Sequence, residues 1–199
     1  MCSLEKIQAT CRGYLMRTLY NKRSVLTRHN IVNEIYETEL HFVLHLNMVI
    51  SLFKVPVEDS GGRILPRLVA QTIFSNVEQV MSAACVNANK FQTAVDVWKY
   101  DSKFGGVMLQ VLNNMVPLTE YTLRWDSLKR ELKNAYKNNL FKTFVKVQCA
   151  PETTDNLSFE DLLITPVQRL MRYKSLLSEL LKNTPPEHPD YIDTMKAVA

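Results

Sequence analysis

Apolar residues recur every three or four positions along most of this chain, and their spacing divides it into helices. Ile7, Cys11, Leu15 and Leu19 step by four, with no proline between Ser3 and about Arg28, which predicts one amphipathic helix with a basic opposite side. A stronger period follows. Ile31, Ile35, Thr38, Phe42, Leu46, Val49 and Phe53 are spaced 4-3-4-4-3-4 and predict a helix of about 25 residues. It is expected to stop before Pro56, because the residue ahead of a proline is pushed out of the helical region. The segment VPVEDSGGRILP, with two prolines and two glycines, reads as a connecting loop. Residues 66–100 predict two or three helices. Phe104 to Val116 and Thr119 to about Lys146 read as further helices separated at Pro117, and CAPETTDNLS as a second loop. Ser158 or Asp155 can cap a last long helix that runs from about Phe159 through Pro166 to Lys182 and ends in the turn NTPPEHPD. Within that helix Leu163, Val167, Leu170, Leu177 and Leu181 are expected on one side, with Gln168, Arg172, Ser175 and Glu179 on the other.

Composition agrees with an all-α chain: only five Gly and eight Pro interrupt 199 residues rich in helix formers. The length suits one core with a short appendage. No run of about 18 apolar residues is present, so no bilayer-spanning segment is expected. The start, MCSLEKIQATCRGY, lacks the apolar stretch of a signal peptide, and the expectation is a cytoplasmic protein, open to recruitment to membrane or cytoskeleton through domains outside this chain. Cys2, Cys11, Cys85 and Cys149 form no CxxC pair, and reduced thiols are expected.

Charge is unevenly placed. Residues 1–28 carry Lys6, Arg12, Arg17, Lys22, Arg23 and Arg28 against Glu5 alone, a balance of +5, which leaves −1 for the rest of a chain whose net charge is +4. A basic arm can serve nucleic acid, an acidic membrane or an acidic protein. No aromatic platform accompanies these charges, so nucleic acid is not expected.

The chemistry of an enzyme is missing. The four His, at 29, 41, 45 and 188, form no ligand set, and His41 and His45 lack the Glu of an HExxH zinc site. There is no GxGxxG, GxxxxGK[ST] or GxSxG. No catalytic residue, metal or cofactor is expected.

Two motifs point elsewhere. IQATCRGYLMR places Ile7, Gln8, Arg12, Gly13 and Arg17 in the full IQxxxRGxxxR pattern and resembles the IQ motif. The resemblance implies binding of calmodulin or a related EF-hand light chain, with Ile7 in an apolar groove, Gln8 between the lobes, and Arg12 and Arg17 facing acidic groups. The plainer alternative is a basic helix that packs on the following domain.

HNIVNEIYETELHFVLHL carries Glu34, Thr38, Glu39 and Phe42, and LSFEDLLITPVQRLMRYKSLLSELLKNTPPEHPDY carries Leu162, Leu163, Pro166, Gln168, Arg169, Arg172, Tyr173, Leu176, Leu177, Glu179 and Leu180. These stretches resemble the first and third signature regions of the Dbl-homology domain of Rho-family guanine-nucleotide exchange factors. IFSNVEQV, GGVMLQVL, LTEYTLRW and NLFKTFV resemble the middle one more loosely. The resemblance divides the chain into an IQ helix at 1–28 and a Dbl-homology domain at 29–199, and implies an elongated all-α bundle whose last helix, from Tyr191, supplies only its first two turns. It also implies GDP/GTP exchange on a Rho-, Rac- or Cdc42-type GTPase, with GTPase contacts at Glu34, Thr38, Thr165, Gln168, Arg172 and Ser175. Glu34 lies about 60° off the edge of the apolar stripe and is expected to be partly exposed. Arg169 lies between the faces and is as compatible with a structural role. Thr165 departs from the family pattern, in which many members carry Lys before the Pro. A non-catalytic scaffold for a light chain and a GTPase is the alternative function.

Overall fold

A computed structural model describes residues 24–150, 154 and 156–199 and carries the first helix back to Ser3. Among the described residues every regular element is helical: α1 (Ser3–Met48), a π-helical stretch (Val49–Lys54), α2 (Val55–Asp59), α3 (Arg67–Phe74), α4 (Val77–Asp96), α5 (Gly105–Leu112), α6 (Val116–Ala135), α7 (Asn139–Gln148), α8 (Phe159–Lys182) and α9 (Tyr191–Val198). The all-α expectation is met. With 46 residues, α1 is about 70 Å long at 1.5 Å per residue and forms the spine. It packs mainly against α4 and α8, while α9 lies against α5 and α8.

The stripe read from the sequence is the face that α1 buries. Ile31, Ile35, Phe42, Leu46, Val49 and Phe53 are all buried, Thr38 is only half-buried, and Glu39 fills the core position beside it. The same segment corrects the membrane expectation, because a window of mean hydropathy 1.5 lies within Ser24–Asp59. By length and composition it could cross a bilayer, yet its apolar stripe is used in the core. At its far end Phe53 stacks on Phe159 of α8 with ring centroids 4.2 Å apart, and Phe74 and Phe141 reach the same ring at 6.1 and 6.3 Å.

Proline marks boundaries differently from the expectation. The helical path does not stop before Pro56, which stands in the first turn of α2 directly after a π-helical stretch. The turn ahead of it widens into the π-helical stretch, which relieves the ring's clash with the preceding carbonyls. The loop there is therefore shorter than VPVEDSGGRILP, starting at Ser60, and Gly61 and Gly62 take the positive φ values of 63° and 88° that it requires. Pro117 likewise opens α6 in its first turn. The break within Thr119 to Lys146 falls instead at residues 136–138, where the Asn138 side chain caps α7.

The α8 limits match those read from the sequence. Ser158 caps it, its side chain accepting from the Asp161 N–H while Asp161 accepts from the Ser158 N–H, a reciprocal capping box. The other capping candidate, Asp155, and part of CAPETTDNLS lie outside the described residues. Pro166 sits inside α8 and cannot donate to the Leu162 carbonyl. The Thr165 hydroxyl donates to it instead at 2.7 Å, and Tyr121 of α6 donates to the next carbonyl, that of Leu163, at 2.8 Å. Burial pushes the Tyr121 hydroxyl above its ordinary range, which keeps it protonated and donating.

At the other end of the bundle Arg28 and Asp190 form a buried ion pair at 2.7 Å, and Asp190 also accepts from the Phe104 and Gly105 N–H groups at 2.9 and 2.8 Å. Burial lowers the Arg28 pKa, and the Asp190 charge and hydrogen bond oppose that shift. α1 thus passes residue 28 without a break and is tied to α5 and the start of α9. Gly105 lets those two helices touch, since a Cβ there would lie 2.3 Å from the Thr194 backbone nitrogen. Gly105→Ala is expected to cost about 1–3 kcal/mol through forced separation of α5 and α9, read as a lower midpoint in urea unfolding at unchanged slope.

Candidate functional site

The two strongest signature segments meet across α1 and α8, which run antiparallel. Glu34 of α1 and Arg172 of α8 form an ion pair at 2.8 Å, with side chains 46% and 52% exposed. One turn away the contact is sealed. Arg169 donates from Nε to Glu39 at 2.7 Å, from Nη1 to the Thr38 hydroxyl at 2.7 Å and from Nη2 to the Ile35 carbonyl at 3.0 Å. Its guanidinium also lies over the Tyr173 ring, 4.2 Å from the centroid, and the Tyr173 hydroxyl donates a very short hydrogen bond to Glu39.

Glu39, Arg169 and Tyr173 are all buried. Burial pushes the Glu39 carboxyl upward, against the opposing pull of Arg169 and of the Tyr173 hydrogen bond. Tyr173 is raised well above its usual value, first by burial and then by the neighbouring Glu39 charge. A buried pair of this kind holds two helices in one register, because shifting either leaves a charge unpaired in the core. This settles the ambiguity over Arg169: its donors are used inside the fold.

The remaining site residues fall into two rows. On α1, Glu34 and Thr38 lie along the edge of the buried stripe, and the Thr38 hydroxyl donates back to the Glu34 carbonyl at 2.6 Å. On α8, Gln168, Arg172, Ser175 and Glu179 are exposed as the polar row predicts, while Thr165 is half-buried. The apolar side differs from the expectation. Leu163 and Leu177 are buried, but Val167, Leu170 and Leu181 are only half-buried, and the core stripe runs through Leu162, Pro166, Arg169, Tyr173, Leu176 and Leu180. The stripe is rotated because α8 packs against α1 and α6 together.

Between the rows lies an open groove of about 540 Å³, lined by Thr38, His41, Phe42, His45, Thr165, Gln168, Arg169 and Arg172. In the sequence His41 and His45 are weighed only as metal ligands and rejected as such, which misses their place in the groove lining. Their place here is nonetheless legible in the 4-3-4 spacing of Glu34, Thr38, His41 and His45, the same face of one helix. Ser175 is a turn beyond the Glu34–Arg172 pair and does not line the groove. Ile7, Gln8, Arg12, Gly13 and Arg17 lie outside the described residues. Among the described residues no group of three or more His, Cys, Asp or Glu could hold a metal ion.

A RhoGEF domain family model matches residues 31–199. Protein ECT2 of Homo sapiens is 28% identical over 176 residues, a match that covers 86% of this chain and 19% of that protein. The chain thus spans about a fifth of that relative's length. The linker-DH/PH domains of p115-RhoGEF superpose with a TM-score of 0.79 at 20% identity, covering 88% of this chain and 54% of that one. The DH/PH fragment of PDZRHOGEF in complex with human RhoA gives a TM-score of 0.78 at 16% identity, covering 88% and 51%.

Proposed function

The chain belongs to the RhoGEF domain family, and from that premise we propose that it accelerates GDP release from a Rho-family GTPase through the groove between α1 and α8. The observation that carries the reading is the meeting of Glu34 with Arg172 beside Gln168, on an otherwise rigid two-helix contact. An exposed ion pair is worth about 0–1 kcal/mol, so Glu34 and Arg172 give up each other for a partner at little cost. Glu34 and Thr38 engage one switch loop and Gln168 and Arg172 the other. Thr165 and Ser175 extend the contact at either end of the α8 row. Thr165 does so as an acceptor, since its hydroxyl proton is used within the helix.

The bundle contributes no covalent chemistry. It holds the switches in a shape that disturbs the phosphate and magnesium sites, so that binding of the factor and binding of the nucleotide oppose each other. A 10⁴-fold acceleration requires about 5.5 kcal/mol of that opposition. Linkage gives the test: the chain binds a nucleotide-free Rho, Rac or Cdc42-type GTPase far more tightly than the same GTPase loaded with GDP, measured by titration calorimetry. Equal affinities would leave a scaffold that binds a GTPase without exchanging its nucleotide.

The N-terminal arm is read as the site of an EF-hand partner, calmodulin or a light chain. What supports this is the complete IQxxxRGxxxR pattern and the +5 balance of residues 1–28. A peptide covering residues 3–28 is expected to bind calmodulin, and Ile7→Asp with Arg12→Glu to abolish binding in the same titration. Failure of the unmutated peptide to bind calmodulin or to retain an EF-hand protein from cytosol would leave the motif as a packing helix.

A further inference from the structure

We infer that His41 is an additional GTPase-contacting residue, whose imidazole donates a hydrogen bond to an acceptor on the GTPase, a backbone carbonyl or a carboxylate. The inference rests on the exchange reading above. The two ends of the groove differ. At one end Glu34 and Arg172 are charged and face each other. At the other stand His41, His45 and Thr165, with no carboxylate among the described residues that line that end.

The donors available there can be counted. Arg169 is committed to Glu39, Thr38 and the Ile35 carbonyl, and the Thr165 hydroxyl proton goes to the Leu162 carbonyl. The Thr38 hydroxyl donates into its own helix. His41 is exposed, sits one turn beyond Thr38 on the same face of α1, and opens onto the groove opposite Thr165. A GTPase loop seated between Glu34 and Gln168 continues past it. Because this end of the lining holds no acid and the Thr38 and Thr165 hydroxyls are turned inward, it suits a segment rich in acceptors rather than donors.

The test compares release of a fluorescent GDP analogue from Rho, Rac and Cdc42-type GTPases by the wild-type chain and by His41→Ala, His41→Gln and His41→Asp. On the best-served GTPase, His41→Ala is expected to slow release by about 5- to 30-fold, the weight of one hydrogen bond to a polar or charged acceptor. His41→Gln, which keeps a donor of similar reach, recovers most of the rate, and His41→Asp is worse than Ala because it sets a charge against the acceptor. Thermal midpoints of all three stay with the wild type, as befits an exposed position. A His41→Ala rate equal to wild type, or a His41→Gln rate no better than His41→Ala, overturns the inference while the exchange reading stands. A wild-type chain that releases GDP from none of these GTPases overturns both.

Discussion

Glu34→Ala, Gln168→Ala and Arg172→Ala each slow GDP release by about tenfold to a hundredfold, the weight of one charge-assisted hydrogen bond between the chain and the GTPase. Their thermal midpoints stay within a few degrees of the wild type. Both halves of this expectation follow from position. Arg172 and Glu34 are about half exposed, and Gln168 lies on the exposed row of α8, so removing any of them empties no core space. Changes at such positions alter stability by about 0.5 kcal/mol or less. Leu177→Ala is the contrasting variant: at 2% exposure its truncation costs about 2–5 kcal/mol and lowers activity by unfolding. Arg172→Lys refines the result, because a loss as deep as that of Ala points to a forked guanidinium contact and retention points to charge alone. Polar variants that unfold like Leu177→Ala, or that exchange at the full rate, contradict this placement of the site.

Arg169→Ala has the largest expected effect on stability, about 3–5 kcal/mol, because it leaves the buried Glu39 carboxylate without its counter-charge and strips donors from Thr38 and the Ile35 carbonyl. At about 2–4 °C per kcal/mol for a chain of this size, the thermal midpoint falls by roughly 6–20 °C in calorimetry. The mechanism is separable from simple cavity formation. Replacing both charges with apolar residues of similar volume, Arg169→Met with Glu39→Leu, is expected to recover much of the loss, because no charge is then left buried alone. If the double replacement is as unstable as the sum of the single ones, the charges are not coupled and the register of α1 on α8 is held by the aliphatic and aromatic packing alone.

How much of this is legible in the sequence varies from one residue to the next. The α8 helix is readable to its ends, because Ser158 and Asp161 form a local capping box and the NTPPEHPD turn is punctuated by proline. The buried face of α1 is readable from its period. What a period cannot show is which polar residue breaks into the core. Glu39 and Thr38 are neighbours in an apolar stripe, and only the arrival of Arg169 from 130 positions away decides that the acid goes in and the hydroxyl stays at the edge. For the same reason the rotation of the α8 stripe escapes the apolar pattern, since Arg169 occupies a core position that hydrophobicity assigns to solvent. Pro56 and Pro117 read as helix breakers although both stand in the first turn of a helix, Pro56 after a π-helical stretch and Pro117 in a helix that opens after a non-helical residue, neither of which apolar spacing reveals. Glu34, Gln168 and Arg172 stand out in the sequence by resemblance to a family, and their proximity is a tertiary fact that no local spacing contains.

The most direct measurement is the rate at which a fluorescent GDP analogue leaves a Rho, Rac or Cdc42-type GTPase when catalytic amounts of this chain and an excess of unlabelled nucleotide are added. Release is expected to rise in proportion to the concentration of the chain on at least one of these GTPases and to fall back toward the intrinsic rate when Glu34→Ala and Arg172→Ala are combined. Release that stays at the intrinsic rate on every member of the panel, from a chain that nonetheless binds one of them, would contradict it.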